Sequence, residues 1–146
     1  MRALIQRVSS GSVKISDKIV GKIGQGLVIL LGITHDDTEA DVKFLADKCV
    51  NLRIFCDEDD KMNRSLLDIG GEALIISQFT LYGDARKGRR PGFSEAARPD
   101  HAIPLYEKFV EKVKQYKIKV ATGEFGAKML VDIKNNGPVT LMLESK

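Results

Sequence analysis

Two short apolar runs, "LVILLGI" at 27–33 and "EALIISQF" at 72–79, constrain this chain more than anything else in it. The first is unbroken, which reads as a β-strand covered on both faces rather than one lying half in water. The second opens as a buried strand with Ala73, Leu74, Ile75 and Ile76. Neither approaches the roughly 20 residues that span a bilayer. With 43% hydrophobic residues in 146, the chain can bury a core as one domain, 1–146.

The rest of the sequence arranges itself around those runs. "RALIQRVSSGSVKI" alternates as one or two strands, with Ser9, Ser10 and Gly11 at a bend, and "SDK" turns into "IVGKI". "THDDTEADVKFLADKC" predicts a helix opened by Asp36 and Glu39 as a capping-box variant, with Val42, Leu45, Ala46 and Cys49 inward. "LRIFCD" reads as a strand and "DEDDKMN" as a charged loop. A second helix carries Ile103, Tyr106, Phe109, Val110 and Val113 on one face, with Pro104 in its first turn. "IKVATG", "AKMLVDIK" and "PVTLMLE" close the chain as strands, the last two separated by "NNG", and Pro138 belongs at a strand start or edge. About eight strands and two helices, joined mainly by hairpins rather than βαβ units, predict an α+β fold. Its sheet is curled, barrel-like and mostly antiparallel, with two helices packed outside. The glycines of "GKIGQG" are followed by no helix, which excludes a dinucleotide fingerprint.

Composition excludes several functions. The net charge of +3 is small for a dedicated nucleic-acid binder, and the absence of Trp argues against a stacking platform for long single strands. Cys49 and Cys56 lack metal-ligand spacing and read as buried, reduced thiols of a cytoplasmic protein. "MRALIQRV" lacks the apolar core of a signal peptide. His35 and His101 read as solvated or capping residues, and no G-x-S-x-G elbow supports a Ser-His-Asp triad. "DEDD" lacks the spacing and glycine of a calcium loop.

Three features remain that bear on chemistry. Ser77, Gln78 and Thr80 put polar side chains where the core of the second run should continue, and buried polar groups are costly unless paired. Arg86, Lys87, Arg89 and Arg90 crowd the stretch just downstream, with Arg98 soon after. Glycines among them leave the backbone free to approach an anion such as an RNA phosphate. "NNGPVT" places a Gly-Pro step between strands; a cis bond there would aim consecutive carbonyls in a shared direction, suited to an ammonium group.

"SQFTL" at 77–81, "TGEFGAKM" at 122–129, "GPVT" at 137–140 and "KGRRPGFSEAARPDHA" at 87–102 together resemble the D-aminoacyl-tRNA deacylase (D-tyrosyl-tRNA deacylase) family. The opening "RALIQRVSSGSV" is similar as well, and the likeness runs essentially end to end. The resemblance implies a homodimer of small barrel-like domains, with active sites at the subunit interface and no cofactor or metal. The implied reaction is hydrolysis of the ester joining a D-amino acid to the terminal adenosine of tRNA, a chiral proofreading step in translation quality control. It further implies that Ser77, Gln78, Phe79 and Thr80 form the catalytic pocket floor, and that Gly137 and Pro138 arrive from the partner as a Gly-cisPro grip. Phe125, Gly126, Ala127 and Met129 would frame the adenosine. Members of that family often carry an acidic residue where this chain has Asn136, a change a backbone grip tolerates.

An aminoacyl ester is already activated, so backbone N–H groups near Phe79 and Thr80 would suffice for oxyanion stabilisation, about 3–4 kcal/mol per donor. Either the ribose 2′-OH or Thr80 then handles the water. Rejecting L-aminoacyl esters a thousandfold takes roughly 4 kcal/mol, more than one methylene of fit supplies, so a rigid backbone wall is required. Glycine has no side chain to exclude, which makes glycyl-tRNA a second candidate substrate. Three rival readings stand beside this one, the first two a serine esterase using Ser77 and a non-catalytic RNA-binding module built on the basic loop. A structural dimer is the third.

Overall fold

The computed structural model describes all residues, Met1–Lys146. A 14-residue strand, β1 (Arg2–Ile15), pairs antiparallel with three others: β2 (Lys18–Ile23), β3 (Gly26–Gly32) and β8 (Leu130–Glu144). Residues 2–8 meet β3, residues 11–15 meet β2, and β8 follows the opposite edge almost throughout. The sheet continues from β3 to β6 (Glu72–Ser77) and β7 (Val120–Thr122). A methyl group on Gly21 of β2 would meet the Thr122 carbonyl of β7 at 2.6 Å, so the sheet curls until its ends touch and the barrel nearly closes. This is the predicted α+β architecture.

The β3–β6 and β6–β7 pairings are parallel. Parallel neighbours need a crossover, and helices supply it: α1 (Glu39–Asn51) and the short α2 (Leu66–Ile69) before β6, α3 (Pro99–Gln115) after it. The expectation of hairpin connections therefore holds for β1–β2 and fails for β6 and β7, which helix-bearing crossovers bring parallel to their neighbours. The α2 turn, capped by Ser65 and ended by Gly70 with φ 61°, adds a third helix to the two expected. Parallel pairing also brings backbones very close: a Cβ on Gly26 would collide with the Glu72 carbonyl oxygen.

Both faces of β3 and β6 are covered, as their unbroken apolar character requires. Leu27, Ile29, Leu31, Ala73 and Ile75 face Leu45 and Cys49 of α1 and Phe109 and Val113 of α3. Val28, Leu74 and Ile76 point the other way, into a smaller cluster inside the curl with Val8, Val13 and Ile23.

Several local expectations shift. The α1 capping box is Thr38 with Asp41, not Asp36 with Glu39. Asp37 is committed elsewhere: its buried carboxylate pairs with the Met1 ammonium at 2.7 Å. Pro99 occupies the start of α3, so Pro104 lies inside the helix rather than in its first turn. "LRIFCD" contributes only β4 (Phe55–Cys56), paired with β5 (Met62–Arg64) from the expected loop. Asp57 organises that loop by accepting from the Asp59 and Lys61 N–H groups. "AKMLVDIK" and "PVTLMLE" are one strand, β8, with no turn at "NNG".

Cys49 is buried as expected, but Cys56, on a two-strand ribbon at the surface, is exposed. Burial pushes the Cys49 thiol up from 9.0 to about 12 and the Tyr106 phenol from 10.0 to about 12. Both groups ionise in the unfolded chain first, so stability present below pH 9 is lost as pH rises through 9–12. Iodoacetamide at pH 8 is expected to modify Cys56 alone, with Cys49 reacting only after unfolding, as read by intact mass. Urea midpoints should fall between pH 9 and 11, and Cys49→Ala should flatten that fall while lowering stability at neutral pH.

Candidate active site

The β6 ladder ends at Ser77, where the apolar sequence ends. Gln78 leaves the strand at φ −142°, ψ 80°, its N–H still donating to the Leu31 carbonyl at 2.8 Å. Residues Phe79–Tyr82 then form one 3-10 turn. The Phe79 and Thr80 N–H groups have no backbone partner, as is general for the first donors of a helical turn. The Gln78 side-chain amide donates to the Thr80 hydroxyl oxygen. Arg2 fixes the far end of the turn by donating to the Leu81 carbonyl at 2.8 Å and stacking 4.5 Å over the Tyr82 ring. Burial raises the Tyr82 phenol well above its ordinary value, so it stays neutral.

Ser77, Gln78 and Phe79 line one side of a cavity of about 240 Å³, and Phe125, Gly126, Ala127 and Met129 line another. The two sequence motifs therefore meet, although some 45 residues separate them along the chain. Leu31, Ile33, Ile76, Ala97, Ala102 and Val131 complete the lining. Sequence reasoning passed over these six; Ala97 and Ala102 bracket the start of α3, where small side chains leave the space open. A turn bonded from the Ala127 N–H to the Glu124 carbonyl, with Gly126 at φ 80°, shapes the far wall. Phe125 packs on Tyr106, ring centroids 6.0 Å apart, and the Tyr106 hydroxyl donates to the Ile75 carbonyl at 2.7 Å. The result is a mainly apolar cavity with a few polar groups at one end, the usual make-up of a small-molecule site.

Thr80 does not line this cavity; it sits at the exposed rim beside Phe79. Phe79 is 56% exposed and meets Phe93 edge-on at 5.3 Å. Gly137 and Pro138 also lie outside the cavity lining, exposed on β8. Their peptide bond is cis and Gly137 has φ 128°. Arg7 holds this bend, donating from Nε to the Asn136 carbonyl at 3.0 Å and from Nη1 to the Ile54 carbonyl at 2.8 Å. Asn135 adds an acceptor for the Val139 N–H at 3.3 Å. Arg7 was unmarked in the sequence, since a charged residue in an alternating strand looks merely solvated.

The basic residues sit on a hairpin-like loop closed by paired hydrogen bonds between Asp84 and Gly92, at 2.8 and 2.9 Å. Arg86 folds back onto Asp84 in a two-point ion pair that holds the carboxyl at about 2, while Lys87, Arg89 and Arg90 project into solvent. Both histidines are engaged by backbone: the His35 ring with the Ser94 carbonyl, the His101 ring with the Asp37 carbonyl at 3.0 Å. No helix is long and apolar enough to cross a membrane.

Comparison with known proteins agrees along the whole length. A family model described as D-Tyr-tRNA(Tyr) deacylase matches residues 4–144. The D-aminoacyl-tRNA deacylase of Thermosipho africanus (strain TCF52B) is 62% identical over 146 residues, covering 100% of this chain and 98% of that protein. The one from Clostridioides difficile (strain 630) is 59% identical over 145 residues, covering 99% and 97%. Among solved structures, the c-Myc DNA Unwinding Element Binding Protein superposes with a TM-score of 0.94 at 38% identity, covering 100% of this chain and 99% of that one. A probable eukaryotic D-amino acid tRNA deacylase shares the fold at a TM-score of 0.85 and 21% identity, covering 98% of each chain. With a family model and relatives near three-fifths identity matching almost from end to end, this chain belongs to the D-aminoacyl-tRNA deacylase family.

Proposed function

We propose that the protein hydrolyses the ester between a D-amino acid and the 3′-terminal adenosine of tRNA in the cytoplasm, with the whole 146-residue chain as the catalytic unit. The observation that carries this is the shared cavity, in which the polar end of β6 faces the Phe125–Met129 wall. The adenosine occupies the apolar enclosure and its aminoacylated ribose lies against Ser77, Gln78, Phe79 and Thr80. The unpartnered Phe79 and Thr80 N–H groups stabilise the oxyanion. The Thr80 oxygen already accepts from Gln78, which makes it a poor base, so the ribose 2′-OH activates the water.

The protein acts as a homodimer. Gly137 and Pro138 are exposed on their own chain and lie outside its cavity, so they are available to the cavity of a partner. Their carbonyls hold the substrate ammonium, and the rigid backbone around them fills the space an L side chain needs. Asn136 offers Arg7 a backbone carbonyl, so the usual acidic side chain is dispensable here. Glycine, lacking a side chain, passes this filter and is hydrolysed as well.

Paired assays of D-tyrosyl-tRNA and L-tyrosyl-tRNA without added metal test the reaction. The D ester is expected to be cleaved at least ~1,000-fold faster, a difference of roughly 4 kcal/mol. Equal rates return the serine-esterase reading, and salt-sensitive tRNA binding without cleavage of either returns the binding module. Replacing the terminal ribose by its 2′-deoxy form should slow cleavage by about 100-fold or more, whereas Thr80→Ala should cost less than about tenfold. The reverse order would assign the water to Thr80.

The chiral filter has its own test at Gly137. A methyl group there would stand 2.8 Å from Arg7 Nη2 and 2.9 Å from Val139 Cγ2, at a φ of 128° that L residues rarely adopt. Gly137→Ala should lower kcat/KM for the D ester by ~100-fold or more and narrow the D/L ratio, with the urea midpoint as the control for folding. A variant that retains the wild-type D/L ratio would remove this loop from the filter.

A further inference from the structure

Met129 lines both the proposed nucleoside cavity and a second cleft. That cleft, about 300 Å³, is lined by Lys14, Ser16, Asp17, Lys128, Met129 and Leu130. Its shape follows from the ladder: Lys14 stands opposite Leu130 in the β1–β8 register. The strand then turns back through Ser16 and Asp17, both at positive φ, into Lys18. Two lysines and a single aspartate therefore line it, and both lysines are exposed. Neither makes an ion pair, in contrast to Arg86 of the basic loop, which Asp84 neutralises.

Resting on the proposed reading of the cavity, we infer that Lys14 and Lys128 bind backbone phosphates of the single-stranded RNA end whose terminal nucleoside fills the neighbouring cavity. A strand leaving that cavity must cross its rim, and across Met129 the rim is basic. Lysine ammonium groups meet phosphate as mobile point charges, without the fixed geometry of base recognition. They hold the strand whatever bases precede the terminal one. The chain has no Trp and 6% aromatic residues, so charge rather than stacking must secure that strand.

Lys14→Gln, Lys128→Gln and the double variant test this with two substrates, D-tyrosyl-tRNA and D-tyrosyl-adenosine, the second of which has no phosphate. The double variant should lose about tenfold more kcat/KM on the tRNA than on the nucleoside ester. Binding of uncharged, CCA-ended tRNA gives a readout independent of catalysis. The slope of log affinity against log salt should shrink by about 1.4, or 0.7 per phosphate on a single strand. Equal losses on both esters, or an unchanged salt slope, would overturn the inference. If the wild-type protein cleaves neither ester while the slope still shrinks, the catalytic reading fails and the phosphate cleft stands.

Discussion

Strand β1 needs hydrogen-bond partners along both edges for its whole length, and the molecule is organised by how it gets them. No single neighbour supplies one edge: β3 takes its first half and β2 its second, which forces β1 to bend and the sheet to curl. On the other edge β8 must follow the same bend, and its register with β1 shifts twice, between Gln6 and Val8 and between Val8 and Gly11. The Asn136–Gly137–Pro138 segment falls where this ladder is interrupted, next to Arg7. The feature proposed to read chirality is thus a by-product of wrapping one strand around another, pinned by a side chain from that same strand.

A similar economy places the 3-10 turn proposed to be catalytic. β6 sits deep in the sheet, parallel to both neighbours, yet its last ladder residue is Ser77. The cavity opens where that pairing runs out, near the carboxyl end of the strand. The apolar residues that line it continue the packing of β3 and α3, while its polar end comes from residues freed from the ladder. The reaction proposed for this site asks little of side-chain chemistry, because the ester is activated and the proposed donors are backbone N–H groups. Neither histidine is placed as a general base, and both rings are engaged with carbonyl oxygens.

That economy governs what could be read from the sequence. The covered faces of β3 and β6 were legible because burial on two sides leaves an unbroken apolar run. The polar break at Ser77 was legible because it violates that run. The crossover connections were not, since a β-strand followed by a helix looks the same whether the next strand pairs parallel or antiparallel. Arg7 and Lys128 were equally silent: a charged side chain that holds a carbonyl or flanks a cleft has the local pattern of one that faces water. Cys56 reads as buried because Ile54 and Phe55 before it suggest a core strand, whereas that strand ends at Cys56 and the acidic loop follows at once.

The pairing of Arg2 with Glu144 has a consequence for how the protein is made. Of this domain's strands β1 leaves the ribosome first, and its partner along one whole edge leaves last. At 5–20 residues per second the stretch from Arg2 to Glu144 takes roughly 7–30 s to synthesise, and for that time one edge of β1 is unpaired. Ladders between distant residues form late and leave such edges open to other chains. The barrel can therefore close only once β8 has emerged, and the step that seals β1 also brings the Gly137 bend against Arg7.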